Sequence, residues 1–101
     1  MILDQLSGLT VELVDSLRYE HFTFLGSKVT ASLGEKGGAI CAPVLEVCVN
    51  AQQELTFTGA NVELSWSKLV IQDHELVVVR NGQPAIYKIL SRHSPRKRYL
   101  P

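Results

Sequence analysis

LVIQDHELVVVRNGQPAIYKI, residues 69–89, decides the fold. Asn81-Gly82 lies between two apolar, β-branched runs, and both residues tolerate the positive φ angles of a type I′ turn, whose twist matches that of paired strands. A two-residue loop fixes the register. Arg80 pairs with Gln83, Val79 with Pro84, Val78 with Ala85, Val77 with Ile86, Leu76 with Tyr87 and Glu75 with Lys88. The last pair sets opposite charges across the ladder, which supports the register independently.

The alternation of that hairpin leaves two apolar faces. Leu76, Val78, Ala85, Tyr87 and Ile89 share one, and Val77, Val79 and Ile86 share the other. A small monomer needs only one apolar sheet face, so the second is expected to be covered by an N-terminal helix, a ligand or another subunit. Val77, Val79 and Ile86 are therefore candidate interface residues. Pro84 lacks the N–H that a third strand would use, which places the start of the last strand at an edge.

A second hairpin turns at Gly26-Ser27, glycine first as a type II′ turn requires. It pairs Leu25 with Lys28, Phe24 with Val29, Phe22 with Ala31 and Glu20 with Leu33, while Thr23/Thr30 and His21/Ser32 occupy the opposite, polar face. After a flexible GEKGG connector at 34–38, Leu45, Val47 and Val49 alternate with Glu46 and Cys48, and Leu55 and Phe57 match their parity. The connector lacks phosphate-loop spacing and precedes strand residues rather than a helix. Val62, Leu64 and Trp66 form another alternating run, whose phase slips near Ser67-Lys68 and predicts a bulge. These six to eight short strands predict a mainly β fold, an antiparallel meander closed as a small barrel or strongly curved as a sheet.

The N-terminal segment has a different period. Leu3, Leu6, Leu9, Leu13 and Leu17 recur at spacings of three and four, which favours a helix with Asp4 near its start. Gly8 opposes that helix, and Thr10–Val14 is an alternative strand.

The chain's 101 residues, 46% hydrophobic and 20% charged, make one globular domain over residues 1–90. Residues 91–101 form a basic tail, expected to be flexible. Up to residue 90 the chain has six basic side chains against all ten acidic ones, a net −4; the tail adds +4 through Arg92, Arg96, Lys97 and Arg98. Four charges without interleaved aromatics argue against nucleic acid as a partner. No apolar run reaches the length of a membrane span, and no basic cluster precedes the first apolar residues, so no membrane contact and a cytoplasmic location are expected. Cys41 and Cys48 lie about 23 Å apart if one strand carries both, too far for a disulfide. Free, buried thiols are expected, and neither a metal site nor a cofactor.

Over Leu6–Ile89 the pattern of short strands ending in LVVVRNGQPAIYKI is similar to that of small bacterial lipocalin-like (calycin) barrels. The likeness is one of pattern and carries over no site residue, since Gly8 is followed by Leu9 and not by tryptophan.

Two functions fit this architecture. One is a non-enzymatic binding protein, a barrel or cupped sheet holding a small apolar ligand against Phe22, Phe24, Phe57, Trp66 and Tyr87, and forming a homo-oligomer. The other is an assembly or protein-interaction module, without a small-molecule ligand, that uses the apolar C-terminal hairpin and the basic tail. No catalytic residue is assigned. Glu46, Cys48, His21 and His74 are the only available parts for an enzyme, and no nucleophile–base pattern joins them.

Overall fold

The computed structural model describes residues 2–92. A helix, α1 (Ile2–Leu6), is followed by strands β1 (Leu9–Leu13), β2 (Arg18–Leu25), β3 (Lys28–Glu35), β4 (Ile40–Cys41), β5 (Val44–Val49), β6 (Leu55–Thr58), β7 (Leu64–Gln72), β8 (Glu75–Arg80) and β9 (Gln83–Arg92). Each long strand pairs antiparallel with the next, and β1 joins both β2 and β9, so eight strands close into an up-and-down barrel. β4 stands outside the ring and pairs only with the end of β3. Closure removes the unpaired strand edges that would otherwise invite aggregation.

Both hairpins adopt the registers expected from their turns. Asn81 and Gly82 have φ of 47° and 83°, as a type I′ turn requires. The phase slip in β7 is a bulge between Ser67 and Val70, with Lys68 at φ 52°. It turns Leu69 and Ile71 toward the core and leaves Val70 outside. Val47 and Val49 face Phe57 and Leu55 across a five-residue loop.

The N-terminal helix is much shorter than its leucine stripe suggests. α1 has five residues, and the chain leaves it at Gly8, where φ is 90° and the N–H donates to the Phe24 carbonyl at 2.8 Å. Leu9 and Leu13 then belong to β1, and Leu17 is exposed in the loop after it. Glycine supplied a break that the leucine spacing alone does not reveal, and pairing with two neighbouring strands outweighed helical periodicity. α1 still covers one end of the barrel. Leu6 is fully buried, the Ile2 N–H reaches Gln53 at 3.2 Å, and the Ser7 hydroxyl accepts from the Gly26 N–H at 3.2 Å.

The hairpin β8–β9 is not an edge. β9 is flanked by β8 and β1, but β1 reaches only as far as Tyr87, with the Val14 N–H bonding Ile86 O just beyond. Gln83, Pro84 and Ala85 project past it, so the missing donor of Pro84 falls where no third strand needs one.

Two further expectations change. Cys41 and Cys48 are free, as expected, but exposed rather than buried, because Cys48 shares the outward parity of Glu46 and Cys41 lies on the strand outside the ring. The connector at 34–38 is tighter than a mobile loop. β3 runs through Gly34, where a Cβ would come within 2.2 Å of the Ala39 carbonyl, so only glycine permits the close return into β4. Ser91 and Arg92 extend β9, and the rest of the basic tail lies outside the described residues.

Candidate functional site at the open end of the barrel

Strand alternation sends Phe22 and Phe24 of β2, Phe57 of β6, Trp66 of β7 and Tyr87 of β9 into the barrel. These five aromatics meet in one cluster. Trp66 lies 4.7 Å from Tyr87 and 4.8 Å from Phe57 between ring centroids, and Phe22 touches the other four at 5.5–6.4 Å. An eight-stranded barrel is wide enough to be filled by side chains or to hold one small ligand.

The same alternation sends two charged residues inward. Glu20 follows the parity of Phe22 and Phe24, and Arg80 that of Leu76 and Val78. They meet Tyr87 at the end of the barrel opposite α1. One Glu20 carboxylate oxygen accepts from the Tyr87 hydroxyl at 2.5 Å and from Arg80 Nε at 3.0 Å; the other accepts from Arg80 Nη2. The pair is a two-pronged, charge-assisted contact, stronger than a neutral hydrogen bond. Glu20 is 4% exposed, while the Arg80 side chain retains 18% and Arg18, 4.0 Å from Glu20, retains 54%. Polarity thus grades from a sealed carboxylate to a wet guanidinium at the rim.

The electrostatics follow from that gradient. Burial raises the phenol pKa of Tyr87 well above its ordinary value, and the Glu20 charge and hydrogen bond add to the effect by opposing a second negative charge. Burial works against the charge of Arg80, but the hydrogen bond and charge of Glu20 outweigh it and raise its pKa. The indole N–H of Trp66 is buried without a hydrogen-bond partner. It lies near enough to Tyr87 to favour the phenolate, yet forms no hydrogen bond of acceptable geometry with it.

Above this cluster is a cleft of about 420 Å³, walled by Leu13, Leu17, Pro84 and Ala85 and edged by Arg18 and Arg80. Its rim is tied down. The Asp15 carboxylate accepts from the N–H groups of Arg18 at 2.6 Å and Leu17 at 2.9 Å, and these bonds, led by Arg18, hold its pKa below the ordinary value. On the other side Asn81 receives the Ser65 N–H at 2.7 Å and donates to the Glu63 carbonyl at 3.1 Å. Two other clefts of similar volume lie at Glu12–Ser16 with Lys36 and Lys88, and between β6 and β7; neither is lined by Arg80.

The expected interface residues stand apart from this site. Val77, Val79 and Ile86 are on the outer wall, where Val70 pairs with Val77, Val77 with Ile86, and Val14 bonds to Ile86. With Val70 and Val14 they form an apolar row across β7, β8, β9 and the residue that follows β1, beside the charged row Glu75, Lys88 and Glu12. The side chains of His21, Glu46, Cys48 and His74 are not joined to one another by any hydrogen bond or ion pair, and His21 stacks on Tyr19 at 6.2 Å. Among the described residues no three His, Cys, Asp or Glu side chains are placed to hold a metal ion, and no helix is long and apolar enough to cross a membrane.

Compared with known proteins, the chain matches no family model, no curated protein and no solved structure.

Proposed function

We propose that this protein is a small, non-enzymatic binding barrel that takes one apolar ligand at its open end and self-associates through its outer wall. The observation that carries the binding reading is the Glu20–Arg80–Tyr87 cluster beneath the cleft. Apolar side chains of similar volume would fill that end with no desolvation cost, and a buried ion pair is often no more stabilising than such a replacement. Its position at the one end not covered by α1, beside a partly apolar cleft, suits recognition rather than packing. In this reading the ligand's body rests on Leu13, Leu17, Pro84 and Ala85, while Phe22, Phe24, Phe57, Trp66 and Tyr87 are fully buried, fill the barrel beneath and do not line the cleft.

The uncharged, apolar fluorophore N-phenyl-1-naphthylamine tests this proposal. Its emission should rise saturably to one molecule per chain. Ala85→Trp, which places a bulky ring in the cleft, should weaken binding roughly tenfold or more, about 1.4 kcal/mol. No saturable binding, or binding indifferent to Ala85→Trp, would remove the ligand site from the open end.

The apolar row Val70–Val77–Ile86–Val14 favours a second reading, in which the outer wall is an assembly surface and the barrel serves as a scaffold without a small-molecule ligand. In the first reading this row supplies the self-association.

A further inference from the structure

We infer that the ligand of the open end is uncharged and carries an oxygen acceptor, a carbonyl or hydroxyl, that receives the indole N–H of Trp66. The inference rests on the binding reading and deepens it. Its starting point is a balance of charge and hydrogen bonds inside the barrel. Glu20 and Arg80 are of opposite sign and joined by two hydrogen bonds, and the Tyr87 hydroxyl hydrogen is already donated to Glu20. A charged group carried inward past Arg18, which stays exposed at the rim, would have to break this matched pair or remain unpaired at low exposure, and either is costly.

What is left over is a donor. The Trp66 indole is fully buried, and its N–H is the buried side-chain polar atom that has no partner among the described residues. An unsatisfied buried donor is expensive and rare in native proteins, and an acceptor oxygen removes the penalty. Trp66 stands directly across the β7–β8 ladder from Arg80 and faces inward with it, one strand from the cleft that Arg80 edges. Trp66 does not itself line the cleft, so the apolar body occupies the cleft and the oxygen passes inward beside the Arg80 guanidinium to reach the indole. The rings of Tyr87 and Phe57 flank Trp66 and favour an apolar body over a strongly hydrated one.

Three probes of one shape test the inference: cyclohexanone, cyclohexane and cyclohexanecarboxylate. Trp66 is the only tryptophan, so the protein gives one indole N–H resonance in two-dimensional proton–nitrogen NMR. Cyclohexanone should move that resonance downfield, and backbone amide shifts should give affinities for all three. Trp66→Phe keeps an aromatic ring and removes the donor. It should weaken cyclohexanone about tenfold, the worth of one hydrogen bond, and leave cyclohexane unchanged, which also shows that the variant is folded. Equal losses for ketone and hydrocarbon, or a carboxylate that binds more tightly than the ketone, would overturn the inference and leave the binding reading standing. If none of the three binds while N-phenyl-1-naphthylamine does, the inference falls alone; if the fluorophore also fails, the binding reading falls with it.

Discussion

Replacing Glu20 by leucine removes the one acceptor that serves both Arg80 and Tyr87, while keeping a side chain of similar size on the inward face of β2. Breaking a buried ion pair from one side costs about 3–5 kcal/mol. Arg80 retains 18% exposure at the rim, so water relieves part of that cost and the lower value applies, about 3 kcal/mol. The Tyr87 hydroxyl, buried without its acceptor, adds about 1 kcal/mol. A total near 4 kcal/mol is a large part of the roughly 5–15 kcal/mol that stabilises a domain. In urea it should lower the unfolding midpoint by about 2 M for a slope near 2 kcal/mol/M. Removing both charges with Glu20→Leu/Arg80→Met leaves no unpaired ion and should recover at least half of the loss, a coupling on the order of 2 kcal/mol. Equilibrium urea unfolding of the four proteins in the cycle measures this directly. A cost below about 1 kcal/mol for Glu20→Leu, or losses that simply add in the double variant, would refute a coupled buried cluster.

Gly8→Ala discriminates the barrel from a continuous N-terminal helix by sign. At φ 90° alanine should destabilise by about 1–3 kcal/mol, whereas a helix interior would gain up to about 1 kcal/mol. Tyr87 has a raised folded-state pKa, so its contribution is fully present below the ordinary value of 10.0 and is lost as pH rises above it. The wild-type minus Tyr87→Phe difference spectrum should accordingly show no tyrosinate band at 295 nm until the alkaline protein unfolds; a band appearing near the ordinary pKa would contradict the buried hydrogen bond. Val79→Lys places a charge beside the apolar row on the outer wall and should convert an oligomer to monomer in native mass spectrometry, with unchanged circular dichroism, because desolvating an unpaired charge costs several kcal/mol. Wild-type protein that is monomeric at high micromolar concentration would end the self-association proposal.

Turn chemistry carried most of the fold. Asn81-Gly82 and Gly26-Ser27 each fix a local register, and from a register every inward and outward residue follows by parity. Closure did not follow from either hairpin, because it depends on β1 bridging β2 and β9, and the β1–β9 partners, from Leu13↔Tyr87 to Leu9↔Arg92, are 74–83 residues apart in sequence, where no local pattern exists. β1 was also hidden within a leucine spacing that suits a helix, and only the positive φ at Gly8 separates the two outcomes. The polar cluster was legible in principle. Glu20 lies in phase with Phe22 and Phe24, and Arg80 with Leu76 and Val78, so each is a charge on a face otherwise filled by apolar side chains. Their meeting required the barrel, which brings β2 to β8 and β9 across its interior.

Backbone amide NMR with N-phenyl-1-naphthylamine tests the proposed function most directly, because it locates the ligand and separates the open end from the outer wall. Saturable shifts should concentrate at Leu13–Arg18 and Arg80–Ala85. Shifts centred on Val70, Val77 and Ile86, or at the end covered by α1, would contradict binding at the open end.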